Sequence, residues 1–268
     1  MIQRPKLKEK LMEWYIYPAV IAAGFGCGFI NTLAGSGSLI SLPLLIFLGV
    51  PANVANGTNR VGILIQNVVA LRSFQKRQML DLRGGIILAI PAIVGSLIGA
   101  QIAVNLDEQM MRRVIGGLMA IMLVIIIARP KRWLNGRLAV MEGRPGFLKH
   151  LMFFFIGAYG GFIQAGVGIF LLAGLVMGIG YDLVRANAVK VLIIFCFTVF
   201  AMVVFTLNGQ VLWGLGALLA VGNAIGGWFA VRLAIARGAV FVRWILIAVV
   251  TVSAIKLSGL FDLIMQFF

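Results

Sequence analysis

Acidic residues are scarce in this chain. Eight Asp+Glu stand against 23 Lys+Arg in 268 residues, a formal net charge of +15, and charged residues of both signs make up only 12%. Soluble domains carry about 25%, so the chain has too little polarity to cover a surface facing water. This excludes a soluble enzyme, a nucleic-acid-binding domain and a disordered protein, and no nucleic acid is expected as a partner. No acid falls within an apolar run: Asp81, Asp107, Glu108, Glu142 and Asp182 all lie in connecting stretches. A carboxylate proton relay of the kind that pumps build inside the membrane therefore has no evident carrier.

Histidine and cysteine are as rare. His150 stands alone at the edge of an apolar run and reads as an interfacial side chain. Cys27 and Cys196 each lie inside an apolar run, too few and too far apart for a disulfide framework or a metal site. One histidine cannot supply a Ser/His/Asp set, and no Gly-rich loop ends in Lys-Ser/Thr, so an ATP site is absent. The expectation is a chain without metal or cofactor, and not an enzyme.

What the chain has is apolarity. Hydrophobic residues make up 62%, mean hydropathy is +1.06, and 33 residues are glycine, well above the usual ~7%. This composition reads as a packed bundle of membrane helices. Its surplus of base belongs in loops that face the cytoplasm and anionic lipid. The expected location is the cytoplasmic (inner) membrane, crossed several times.

Apolar runs fall at 16–33, 38–50, 60–71, 84–104, 114–128, 150–164, 168–180, 188–207, 211–231 and 240–257. Some reach the ~17–25 residues a crossing needs, and others are too short to cross alone. Residues 1–13 form a basic tail with Arg4, Lys6, Lys8 and Lys10, and the run after it has no small-residue cleavage site, so it reads as a retained segment. The longest polar stretch, 129–149, carries Arg129, Lys131, Arg132, Arg137, Arg144 and Lys149. It divides the chain into a first membrane repeat at 14–128 and a second at 150–268.

The two halves match. At a shift of 131 residues (165 − 34), Ala34-Gly35-Ser36-Gly37 falls on Ala165-Gly166-Val167-Gly168, Gly49 on Gly180, Ala55-Asn56 on Ala186-Asn187, Gly95-Ser96 on Gly226-Gly227 and Arg112 on Arg243. Just before the glycine cluster the shift becomes 133, and Gly28-Phe29-Ile30-Asn31 falls on Gly161-Phe162-Ile163-Gln164. Duplicated halves mark secondary transporters. Two arrangements satisfy the loops about equally. Five crossings per half, inverted, put the basic loops at 72–83, 129–149, 181–187 and 232–239 inside, at the expense of the basic tail. Four per half, parallel, keep the tail inside but leave Arg185, Arg232 and Arg237 outside. The inverted arrangement is preferred, because both halves then build their sites from equivalent broken segments. The expected fold is thus an all-α polytopic membrane protein with broken or short helices at its centre.

Two constellations could carry chemistry. The first is Asn31-Thr32-Leu33-Ala34-Gly35-Ser36-Gly37-Ser38, repeated as Gln164-Ala165-Gly166-Val167-Gly168. Glycine weakens a continuous helix, while Ser and Asn compete for its hydrogen bonds. In lipid an unwound backbone survives only where protein or a water-filled cavity surrounds it. The break is expected to line a cavity, with the next helix presenting free N–H groups to an anion. The second is Asn53, Asn56, Gly57, Thr58, Asn59 and Arg60, matched by Asn187 and Lys190. Charges one turn inside a membrane segment either face a cavity or reach back to the interface, and Arg60 and Lys190 are open to both readings.

The ordered set Gly24-Phe25-Gly26-Cys27-Gly28-Phe29-Ile30-Asn31-Thr32-Leu33-Ala34-Gly35-Ser36-Gly37-Ser38, Leu42-Pro43-Leu44-Leu45, Gly49-Val50-Pro51 and Ala52-Asn53-Val54-Ala55-Asn56-Gly57-Thr58-Asn59 resembles the TauE/SafE (sulfite exporter) family. Gly157 to Gly168 and the later Gly95, Gly99, Gly226 and Gly227 are similar as well. The chain departs at Ser36 and Val167, where the family often has glycine. The resemblance implies a permease for small sulfur-containing anions such as sulfite or sulfoacetate.

The expected function is a secondary transporter exporting such an anion by alternating access, with an anion channel or an importer as alternatives. The expected substrate-binding set is Asn31, Gly35, Ser36, Gly37, Ser38, Gln164, Gly166 and Gly168, then Asn56, Thr58, Asn59 and Asn187, then Arg60 and Lys190. The partners are the anion and membrane lipid, and a homodimer is compatible with such carriers. Without an acid relay, an interior-negative potential worth about 2.3 kcal/mol per charge per 100 mV would drive efflux.

Overall fold

A computed structural model of the chain describes residues 14, 16–128, 143 and 145–257. The basic tail 1–13 and most of the 129–149 linker lie outside the described residues. The described residues form nine α-helices and no strand. Helix α1 spans Ile16–Ala34 and stops at Gly35, whose φ of +75° favours glycine. Helix α2 is the short Ser38–Phe47. Helix α3, Ala52–Lys76, starts after Pro51, whose missing N–H costs nothing there. Helix α4, Leu82–Val104, is capped by Asp81, whose Oδ1 accepts from the Gly84 amide at 2.9 Å. Helix α5 is Glu108–Ala128.

The second half opens with α6, Phe147–Phe162, and the seven-residue α7, Val167–Ala173, which runs on into a π-helical turn over Gly174–Ile179. Helix α8, Leu183–Leu207, is capped by Asp182, which accepts from the amides of Val184 and Arg185. Helix α9 covers Trp213–Leu257. Four stretches, Ile16–Leu33, Leu82–Val104, Leu183–Leu207 and Trp213–Ala236, are long and apolar enough to cross a membrane.

Helix α4 has the packing that lipid selects. Its large aliphatics Ile86, Ile90, Val94, Ile98 and Ile102 face outward, whereas Gly84, Gly85, Ala89, Ala92, Gly95, Ser96, Gly99 and Ala103 face inward. Small residues let membrane helices approach closely where no hydrophobic force drives them together. A Cβ added to Gly95 would come 2.0 Å from the Phe154 carbonyl oxygen, and one on Gly99 would come 1.9 Å from that of Ala158. Helix α4 therefore packs backbone to backbone on α6, and α1 packs on α9 in the same way through Gly24, Gly28, Gly222 and Gly226. Each half lends its first helix to the other half's fourth segment.

Helices α3 and α8 have 25 residues each and begin 131 positions apart (183 − 52), as do α4 and α9 (213 − 82). They run in opposite directions. The start of α3 meets the end of α8, where the Thr58 hydroxyl accepts from the Leu212 amide at 2.9 Å and Gly57 abuts Gln210. Its end packs on the start of α8 through Ala70, Phe74, Ala188 and Val191. The end of α4 likewise meets the chain entering α9, where Gln210 Nε2 donates to the Val104 carbonyl at 3.0 Å.

One expectation changes. The stretch 232–239, read as a loop, is helical, and α9 continues through it for 45 residues in all. In the first half, Asn105 ends α4 and the Asp107 carboxylate accepts from the Met110 amide to start α5. The positions 131 further on are Ala236, Arg237 and Gly238, which hold no comparable capping acid. Residues 72–83 lie beside the start of α8 and beside α9. The Tyr181 hydroxyl donates to Asp81 Oδ2 at 2.5 Å and Phe74 packs with Val231, so these stretches share one face.

Candidate functional site

The two helix breaks touch. Gly35 and Gly166 both have φ +75°, and the Gly168 amide donates to the Gly35 carbonyl at 3.2 Å. A Cβ on Gly35 would lie 2.3 Å from the Gly168 Cα, and one on Gly168 would lie 2.2 Å from the Gly35 Cα. No ion fits between them. The expectation that the second break offers a free Gly168 N–H to an anion is therefore corrected: the first break already occupies it. Gly37 is equally confined, since a Cβ there would come 2.1 Å from the Cys27 carbonyl oxygen. These glycines let the halves meet at the centre of the bundle.

Several expected ligands are committed to protein partners. Asn59 Nδ2 donates to Ser38 Oγ at 3.1 Å, and Ser41 Oγ donates to Asn59 Oδ1 at 2.6 Å, which ties α3 to α2. Thr58 holds the start of α9. Asn31 Nδ2 donates to Gln66 Oε1 at 3.1 Å, and Gln66 Nε2 donates to Thr32 Oγ1 at 3.0 Å.

Arg60 and Lys190 are both fully buried, and neither reaches back to the interface. The Arg60 guanidinium crosses to the second half. Its Nη1 donates to the Gly160 carbonyl at 3.1 Å and its Nη2 to the Gly161 carbonyl at 2.6 Å, while its plane sits 4.5 Å from the centre of the Phe205 ring. Lys190 crosses to the first half, and its Nζ donates to the carbonyls of Asn31 at 3.0 Å and Thr32 at 2.9 Å. Each cation thus closes the C-terminal end of the other half's broken helix, where unpaired carbonyls and the negative end of the helix dipole favour positive charge. No carboxylate pairs with either one among the described residues; ion pairs such as Arg112–Glu108 and Arg185–Asp182 lie at helix ends.

The carbonyl pairs also fix the register. Gly160 and Gly161 stand 129 residues after Asn31 and Thr32 (160 − 31). The packing glycines agree: Gly28 abuts Asn223 and Gly157 abuts Ala92, again 129 apart on one side (157 − 28) and 131 on the other (223 − 92). Packing therefore does not follow the shift of 133. Asn31 belongs to the last turns of α1, whereas Gln164 stands beyond α6, in two extra residues before Gly166.

Around these ends lie amide groups with nothing to bond. Asn187 is fully buried, and neither atom of its amide has a partner within the protein. Asn56 Nδ2 donates to the Phe162 carbonyl at 2.7 Å, but its Oδ1 is unpartnered. Gln164 Nε2 donates to Thr198 Oγ1 at 2.7 Å, and its Oε1 is unpartnered. Ser36 Oγ is buried without a partner. Buried polar groups are almost always satisfied, so these four side chains stand out from the rest of the buried polar set. Among the described residues no three His, Cys, Asp or Glu side chains come together to hold a metal.

Gln66, Asn67 and Thr198 were not anticipated, although all three are buried in this polar core. The signal was present. Asn56, Asn59, Arg60, Gln66 and Asn67 recur at helical spacing on one buried stripe of α3, as do Asn187, Lys190 and Thr198 on α8. Reading 60–71 as an apolar run hid the first stripe.

A family described as Sulfite exporter TauE/SafE matches residues 20–257. The chain is 26% identical over 247 residues to "Probable membrane transporter protein ORF9" of a Sinorhizobium species, covering 92% of this chain and 94% of that one. It is 25% identical over 229 residues to a "Probable membrane transporter protein" of Haemophilus influenzae, covering 84% and 87%. It is 27% identical over 231 residues to "Probable membrane transporter protein YfcA" of Escherichia coli K12, covering 86% and 85%. No solved structure matches it significantly.

Proposed function

The chain belongs to the TauE/SafE family and is a multi-pass membrane transporter, and from that premise we propose that it exports a small sulfur-containing anion across the cytoplasmic membrane. Sulfite and organosulfonates such as sulfoacetate are the substrate class. The two halves act as inverted repeats and alternate access to a site between them. The antiparallel course of α3 against α8 supports that arrangement.

One observation carries the reading. Two fully buried cations, Arg60 and Lys190, have no carboxylate partner among the described residues, and the Asn187 amide, unpartnered at both atoms, stands one turn from Lys190. Buried charge is costly unless paired, and an oxyanion is the partner whose charge and acceptor oxygens fit. The neutral Asn187 amide adds a donor without adding charge, so the anion can leave again. Ser36, on the α2 side of the first break, adds a donor.

The test is uptake of labelled sulfite and sulfoacetate into liposomes that contain the purified protein. Saturable movement at carrier rates, accelerated by the same anion on the far side, is expected. Unsaturating current would favour a channel. No movement of any sulfur anion would refute the proposal.

A further inference from the structure

The cations at the two helix ends differ in one chemical respect. Arginine stays charged in any protein site, whereas a lysine can release its proton. We propose that Lys190 is the proton-carrying group of this transporter, binding one proton together with each anion and releasing both on the other side. The proposal rests on the anion-transport reading above and adds its coupling ion.

The geometry leaves one proton free to leave. A lysine ammonium has three N–H donors. Two satisfy the carbonyls of Asn31 and Thr32 at the end of α1. A neutral amine keeps two N–H donors, so the third proton can depart while both capping bonds remain. Asn187 stands one turn earlier on the same face of α8, its amide unpartnered. The third N–H and the Asn187 amide then form the anion's grip, strong while the lysine is charged and weak once it is neutral. Proton binding, Nζ + H+ giving Nζ–H+, thereby follows anion binding in both directions.

The groups around Lys190 favour this role. Asn31 and Thr32 reach it from α1, and Gln66 lies alongside Thr32 from α3, with Asn67 beside it. Gly227 of α9 abuts Thr32 and Gln66, and Gly85 of α4 abuts Val189 and Leu192. Among the described side chains of these elements, the titratable or charged groups are Tyr17 and Cys27 on α1, Arg60, Arg72 and Lys76 on α3, Asp81 and Arg83 at the start of α4, Asp182, Arg185 and Cys196 on or before α8, and Arg232 on α9. None bonds to the ammonium, whose charge is thus left to the proton and the anion. The chain has no carboxylate inside its apolar runs, but Lys190 is a base within one. A monoanion carried with a proton moves no net charge, so the potential-driven efflux expected from the sequence gives way to flux set by the anion and proton gradients together.

The experiment uses the full chain in liposomes with a pH-sensitive dye inside and methanesulfonate as probe, a sulfonate that keeps its charge across the neutral range. Wild-type protein should acidify the lumen as methanesulfonate enters, and an inward proton gradient should drive accumulation. Binding should weaken about tenfold per pH unit above the lysine's titration, the slope of a single proton. In Lys190→Arg the lumen acidification should be lost, and the methanesulfonate binding that remains should vary by less than about twofold per pH unit. Wild-type methanesulfonate flux that follows voltage without moving protons would overturn the Lys190 proposal and leave anion transport standing. Proton-coupled flux that survives in Lys190→Arg would overturn it as well. If no sulfur anion moves at all, the transport reading itself fails.

Discussion

The amide of Gly168 donates to the carbonyl of Gly35 at 3.2 Å, so the unwound points of the two halves are bonded to each other. This contact places the ends of α1 and α6 side by side and lets the Arg60 and Lys190 side chains cross between the halves. It also leaves no space for a β-carbon.

Gly35→Ala and Gly168→Ala should therefore both damage the protein. Alanine at Gly35 carries a left-handed backbone cost of about 1–3 kcal/mol as well as a 2.3 Å clash with the backbone of the other break. Thermal unfolding in detergent should show a loss of at least about 2 kcal/mol, or no folded protein. Gly26→Ala is the control, since a Cβ there meets nothing within 4 Å, and it should unfold like the parent.

Arg60→Ala orphans the carbonyls of Gly160 and Gly161. At roughly 1–3 kcal/mol for each of the two buried groups left unmade, the expected loss is about 2–6 kcal/mol. Arg60→Lys should recover part of it, because a single ammonium replaces the fork. Denaturant titration of the purified protein measures both.

Asn187→Ala separates binding from stability. Neither amide atom of Asn187 has an internal partner, so its removal should change the unfolding free energy by less than about 1 kcal/mol. The KM for a sulfonate should rise tenfold or more. Asn59→Ala should do the reverse, since it breaks bonds to Ser38 and Ser41 and costs stability first. Paired unfolding and flux measurements distinguish the two.

The shared face of 72–83 and 181–185 predicts sidedness through its basic residues. Gln78 and Asn208 are exposed at opposite ends of the bundle. Introduced cysteines should differ: a membrane-impermeant thiol reagent applied to intact cells should label Asn208→Cys and spare Gln78→Cys, because the basic face turns inward. The native Cys27 is buried. Equal labelling of both would contradict this orientation.

Much of the architecture was legible in the sequence. The two breaks, their glycines and the 131-residue spacing of α3 with α8 could be read directly, because glycine and helix length act locally. The connection at 232–239 was misread, since a run of small and basic residues resembles a loop unless a capping side chain such as Asp107 is sought. Helix α3 was read as only partly apolar because its stripe of Asn56, Asn59, Arg60, Gln66 and Asn67 faces protein instead of lipid.

The sequence by itself determined that this chain is a membrane helix bundle broken after the first helix of each half. Apolar composition and scarce acids allow nothing else, and they act through solvent rather than through particular neighbours. Only the tertiary structure decided what the buried cations do. The cost of a buried charge depends on the groups facing it, and those facing Arg60 and Lys190 come from carbonyls 100 and 159 positions away.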